Sequence, residues 1–200
     1  ASNNTAVGFY ALRSNTTGTN NVAVGLSAAA NSTVGQNLTA IGRCALFANT
    51  VDNMTAVGAL ALWCNTTGVR NVAVGTSALR NNTIGINNTA LGYSALFANT
   101  TGGSNTAVGV DALCANTTGG SNVAVGIQAL SSTTIASFNV AVGNSALQNT
   151  LSGGNTAIGA SALGCNTTGG GNVAVGLQSL LFNTIGSSNT AVGYQSLRNN

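Results

Sequence analysis

The chain contains no histidine, lysine, glutamate or proline, and charged residues make up only 4% of its 200 positions. An ordinary soluble domain has about 25%. Each shortage excludes a class of function. Without histidine there is no Ser-His-Asp or Cys-His arrangement. The only acids are Asp52 and Asp111, and a calcium loop of the EF-hand type needs several acidic ligands close together. Cys44, Cys64, Cys114 and Cys165 show no C-x-x-C spacing of the kind that holds zinc. The five cations, Arg13, Arg43, Arg70, Arg80 and Arg198, are too scattered to form the basic stripe of a nucleic-acid binder. No run approaches the roughly 18 apolar residues of a membrane helix. The expectation is therefore no enzyme, no cofactor, no metal, no nucleic acid and no membrane span in this segment. Disorder is excluded too, because the chain is 44% hydrophobic and a disordered chain is poor in apolar residues.

What the chain has is a phrase, N-T-A-V-G, written first at Asn4–Gly8 and varied through the sequence. The closing glycine falls at 8, 25, 42, 58, 75, 92, 109, 126, 143, 159, 176 and 193, so nine spacings are 17 and two are 16. With that glycine as position 0, position −2 is always Ala and −1 is always Val, Ile or Leu. Position +3 is Ala or Ser, +4 is Leu in eleven copies with Ala29 the exception, and +8 is Thr once one gap is allowed in the short copies. Seventeen residues is too short for a helical hairpin repeat and suits one coil of a β-solenoid. The expected fold is all-β: a parallel β-solenoid, or β-roll, of twelve coils of about 17 residues forming a single domain over 1–200. Coils stacked about 4.8 Å apart turn each repeated residue into a ladder. Asn and Thr ladders then hydrogen-bond from coil to coil.

Alternation along a strand assigns faces. The aliphatic residue at −1 is expected to face the core together with −3. Size compensation is consistent with that: Val34, Val51, Ile84, Leu151 and Ile185 at +9 are each followed by Thr at −3, whereas Thr17, Thr67, Thr118 and Thr168 are each followed by Val. Thr101 with Thr106 and Ile135 with Val140 break the rule. Position −2 and the glycine then form an outer strip of small side chains, a candidate inter-chain surface: Ala6, Gly8, Ala23, Gly25, Ala73, Gly75, Ala124, Gly126, Ala174 and Gly176.

A longer period is superimposed on the first, since Asn15, Asn65, Asn116 and Asn166 open the same N-T-T-G phrase about every third coil. The super-repeats run near 1–50, 51–101, 102–151 and 152–200. Cys64, Cys114 and Cys165 follow the same step, roughly 14 Å apart by the coil rise and too far for disulfides. They read either as small, partly buried thiols or as links between chains. Asn15, Asn65, Asn99, Asn116 and Asn166 lie in N-x-[ST] sequons, but ladders demand Asn and Thr there in any case. Phe9, Tyr93 and Tyr194 at +1, with Phe47, Trp63 and Phe97 at +5, are the candidate contact residues, for a glycan, for a receptor or for a neighbouring chain.

The phrases N-T-A-V-G, N-V-A-V-G and N-T-A-I-G resemble the N-S-V-A-I-G repeats of YadA-like trimeric autotransporter adhesin heads. They are similar also to N-T-A-x-G-x-x-A-L repeats of phage tail fibres. The resemblance spans the whole chain, though the adhesin coil is shorter. It implies a left-handed roll, three chains around one axis and a place outside the cell or on a virion surface. The expected function is a structural or adhesive extracellular fibre segment, part of a longer fibre. Its partner is expected to be itself, as a homo-oligomer, a trimer or an end-to-end filament, with a host glycan or surface receptor as a further partner. The alternative is a solenoid that binds a ligand, either a glycan or ice. Ice binding is disfavoured because the second outward rank of Thr would fall at +10, which is mostly Gly.

Overall fold

A computed structural model describes all residues from 1 to 200. It is an all-β parallel solenoid. Twelve three-residue strands, β1 (Thr5–Val7) through β12 (Thr190–Val192), stand in sequence order in one sheet. Each pairs in parallel with the next, Ala on Ala: Ala6 with Ala23, Ala107 with Ala124, Ala174 with Ala191. The two 16-residue spacings leave this register intact, as Ala40 with Ala56 and Ala141 with Ala157 show. The missing residue is absorbed in the turns.

The turns supply most of the cohesion. Of 134 backbone hydrogen bonds, only 22 lie within the strands. After each strand the chain makes consecutive tight turns, such as Ala11 N–H to Gly8 O and Asn15 N–H to Leu12 O. Two residues per coil take left-handed backbone there: position +2, for example Tyr10 and Asp111, and the leucine at +4, with φ between 47° and 54°. A left-handed residue other than glycine costs about 1–2 kcal/mol. Burying the leucine side chain returns roughly 1.5–3 kcal/mol, and Leu46 through Leu180 at +4 are fully buried. The flip also turns two successive side chains, +3 and +4, inward, which a strand cannot do.

The assignment of faces from alternation is inverted. Ala at −2 points into the core and is 0% exposed from Ala23 to Ala174, whereas the flanking −3 and −1 residues point out. The core is narrow. It consists of Ala at −2, Ala at +3, one Leu per coil and two ladders of buried Asn. That leaves no room for a valine on the strand side. The +9 and −3 columns, expected to trade volume inside the core, both lie on the outside, as Val34, Ile84, Val22 and Val72 show. Nothing in the packing explains their alternation.

The two Asn ladders close the core. At +7, Asn82 Nδ2 donates to Asn65 Oδ1 at 2.8 Å and to Gly85 O at 3.1 Å. At −4, Asn88 Oδ1 accepts the backbone N–H of Asn105 at 3.0 Å, while Asn88 Nδ2 donates to Gly102 O at 2.9 Å. Both ladders thus converge on the carbonyls of the +10 glycines. Such fully satisfied buried amides specify register, because a slipped coil would leave them unpaired at about 1–3 kcal/mol each. Leu38 and Met54 interrupt the −4 ladder and fill its space with apolar atoms. In the short ninth coil it is Thr150 that takes the buried +7 place, and Asn149 is pushed outside. The gap therefore falls after this pair rather than before it.

Candidate functional site

The residues named for an inter-chain strip are not on a free surface. Ala23, Ala73, Ala124 and Ala174 are sealed in the core, and Ala6 is exposed only because it lies in the first coil. The glycines are there for axial approach. Gly8 and Gly25 have φ of 125° and 129°, and a Cβ on Gly8 would stand 2.7 Å from Gly25 O. The same relation repeats up the stack, so Gly75, Gly126 and Gly176 serve coil spacing and backbone conformation.

The side that is free is the other face of the strands. Two outward ranks run its length. Position −3 is Thr or Val, with Val22 and Val72 exposed, and −1 is Val, Ile or Leu, with Ile41, Leu91, Ile158 and Val192 exposed. No charged residue occurs in any of the twelve strands. This is an uncharged, largely β-branched surface, partly exposed along the rod.

A second feature lies along the +5 column. Phe47, Trp63, Arg80 and Phe97 occupy it on four successive coils and stack along the rod axis. The Phe47 and Trp63 ring centroids are 6.3 Å apart with planes 28° from parallel. The Arg80 guanidinium follows, with Cζ 5.1 Å from the Trp63 ring and 5.5 Å from the Phe97 ring. Arg80 Nε is buried with no hydrogen-bond partner, so the ring faces hold this group by cation–π attraction. Arg13 over Tyr10 and Arg198 over Phe182, each at 4.8 Å, are further cation–π contacts of +5 arginines near the two ends, each with a single ring from another column. The stack stops at Cys114, the +5 residue of the next coil. A cleft of about 410 Å³ opens there, lined by Tyr93, Ser94, Phe97, Asp111, Cys114 and Ala115.

Of the aromatic contact candidates, the structure therefore brings together Phe47, Trp63, Phe97 and Tyr93. Phe9 sits at the first coil against Tyr10, with ring centroids 3.8 Å apart, and Tyr194 stands exposed on the last. The sequence reading placed Cys114 in nearly one column with Cys64 and Cys165. The structure separates them, with Cys114 at +5 and the others at +6, and all four cysteines are free thiols. Burial pushes the Cys114 thiol up and the Asp111 carboxylate adds to the shift. Burial also raises Cys64, while the Arg80 guanidinium pulls it partly back. Neither is an activated nucleophile.

A second hollow, about 580 Å³, lies where the third coil is one residue short, with Thr17, Val34, Val51, Asp52 and Arg70 on its walls. Asp52 Oδ1 accepts the Gln36 N–H at 2.8 Å and so bridges to the preceding coil. The sequons Asn65, Asn99, Asn116 and Asn166 have 0% exposure, and each Nδ2 donates within the ladder, so they are structural and closed to glycans. No helix of the structure is long and apolar enough to cross a membrane. No protein-family model and no curated protein matches this chain.

Proposed function

We propose that this chain is a structural segment of an extracellular fibre, a rod that spaces and displays contacts and performs no catalysis. The observation that supports it most directly is the unbroken ladder of twelve parallel strands. Each coil touches only its neighbours, so the architecture extends in one dimension and presents the same surface at every rung. At the coil rise the rod is roughly 53 Å long. The uncharged Thr/Val face is the lateral contact between copies. It replaces the Ala/Gly strip in that role, and two such faces are self-complementary, with no charge to desolvate. The resemblance to adhesin heads and tail fibres points to the same placement on a cell or virion surface.

Electron microscopy and sedimentation of the purified chain test this. The expected result is rods associated side by side, released as single rods of unchanged circular dichroism by the double variant Val74→Asp, Val125→Asp. A wild-type chain that sediments as a monodisperse monomer at high concentration overturns it.

The same face favours a second reading. Two outward ranks of largely β-branched side chains, at −3 and −1, form a regularly spaced array that could order water against an ice surface. The ranks are not at +8 and +10, where the sequence reading sought them. Inhibition of ice recrystallisation by single rods, lost in the Val74→Asp, Val125→Asp variant, would select this reading over the fibre.

A further inference from the structure

We infer that the cleft at the end of the aromatic stack is a binding site for the guanidinium of an arginine side chain presented by a partner polypeptide.

The chain itself supplies the template. One coil before the cleft, Arg80 lies between Trp63 and Phe97, its guanidinium covered by a ring on each side. Phe97 has two faces. One is taken by Arg80. On the other side the ladder's next member is Cys114, whose short side chain leaves the second face of Phe97 bordering open space. The cleft is therefore an unfilled place at the end of a stack of three rings and one guanidinium. Its floor and walls are Phe97, Cys114 and Ala115, with the exposed ring of Tyr93 at its side.

Charge distinguishes this place from a merely greasy hollow. Asp111 lines it and is one of only two acids in the chain. The only side-chain hydrogen bond from an arginine runs from Arg13 to Asn31. The only one to an aspartate runs from the Gln36 N–H to Asp52. Asp111 is thus a half-buried carboxylate without a partner, beside an open aromatic face. Arg80 is two coils away, roughly 10 Å along the axis, with Phe97 in between. A guanidinium seated on Phe97 would have its planar surface on the ring and its N–H edge towards Asp111, the combination that arginine, unlike lysine, satisfies with one rigid group. The half-buried thiol of Cys114 donates to Ser131 O at 3.3 Å, and its raised pKa keeps it from adding a competing charge.

The test is a titration of the intact chain with N-acetyl-argininamide, followed by the ring resonances of Tyr93 and Phe97. Saturable shifts in the millimolar range are expected. The neutral isostere N-acetyl-citrullinamide is expected to bind at least tenfold more weakly. Asp111→Asn, which suits the left-handed backbone of that position, should weaken the arginine probe at least tenfold. Cys114→Phe, which supplies the missing ring and closes the cleft, should abolish binding with the carboxylate still present. Asp52→Asn on another edge should change nothing. The proposal is overturned if the arginine probe gives no saturable shift. It is equally overturned if citrulline binds as well as arginine, if Asp111→Asn binds as wild type does, or if a methyl pyranoside outcompetes the arginine probe and so makes the cleft a sugar site.

Discussion

Asn116 donates its Nδ2 to Asn99 Oδ1 at 2.8 Å, but its own Oδ1 receives nothing from Thr133, the residue above it in the +7 ladder. Thr133 instead donates its hydroxyl forward to Thr150 O at 3.0 Å. The ladder of Asn49, Asn65, Asn82, Asn99 and Asn116 ends there, in a buried acceptor with no donor. Thr133→Asn restores a Nδ2 aimed back at Asn116 Oδ1, as in the four rungs before it. The expected gain is about 1 kcal/mol, a rise in Tm of roughly 2–4 °C for a chain of this size. Differential scanning calorimetry measures it, and an unchanged or lower Tm would count against the ladder as a source of stability.

The inversion of the strand faces predicts a reversal between neighbouring residues. Leu79→Asp or Ala73→Asp puts an unpaired charge into a sealed core and should abolish cooperative unfolding. Val74→Asp, one residue on from Ala73, lies on the outer side and should leave the thermal transition within a few degrees of wild type. Equal Tm losses for Ala73→Asp and Val74→Asp would refute the observed facing.

Glycine at position 0 is required by backbone and by spacing together. Gly126 has φ of 133°, and a Cβ on it would lie 2.5 Å from Gly143 O. Gly126→Ala must force two coils apart. Gly170→Ala is the control, since its φ is ordinary and its nearest contact is Gly153 O at 3.3 Å. We expect a loss of several kcal/mol for the first, as befits backbone strain with a steric clash, and a small change for the second. Urea denaturation of the two variants decides it.

The thiols predict a chemical difference. Cys114 is raised by burial and by Asp111, so Asp111→Asn should speed its alkylation near pH 8. Cys64 is raised by burial but eased down by Arg80, so Arg80→Gln should slow its alkylation. Mass-resolved labelling rates test both, and a shift in the opposite sense for either would remove the electrostatic account. For stability the sign follows from the upward shifts. Below the unfolded thiol value of about 8.5 both states stay protonated and the contribution is complete. As pH rises past that value the unfolded chain ionises first, so stability declines through the folded pKa values.

The candidate site was partly legible. Phe47, Trp63 and Phe97 share the +5 column in the sequence, and that shared position is what stacks them. Arg80 occupies the same column and was counted only as a stray cation. Its role as a rung between two rings follows from the coil spacing of about 4.8 Å, which makes vertical neighbours of residues 17 apart. In the sequence Asp111 is only, with Asp52, one of two acids too few for a calcium loop. Its real neighbours, Tyr93 and Phe97, are 18 and 14 residues earlier in the chain.

The sequence by itself determined the coil, its length and its parallel in-register stacking, and with them that its repeated residues form ladders. A phrase returning every 17 residues, and twice every 16, places each residue over its copy. It did not determine which side of the strand is inside. Hydropathy favours Val over Ala for the core, and alternation cannot choose between two faces that are both apolar. That choice depends on the width of the closed coil. The left-handed turns at +2 and +4 bring Leu and Ala inward together, two ladders of buried Asn fill more of the interior, and the residue that faces it from the strand is Ala in every coil. Ala therefore goes in, the larger β-branched residues go out, and the surface the rod offers to its surroundings is set by closure of the coil.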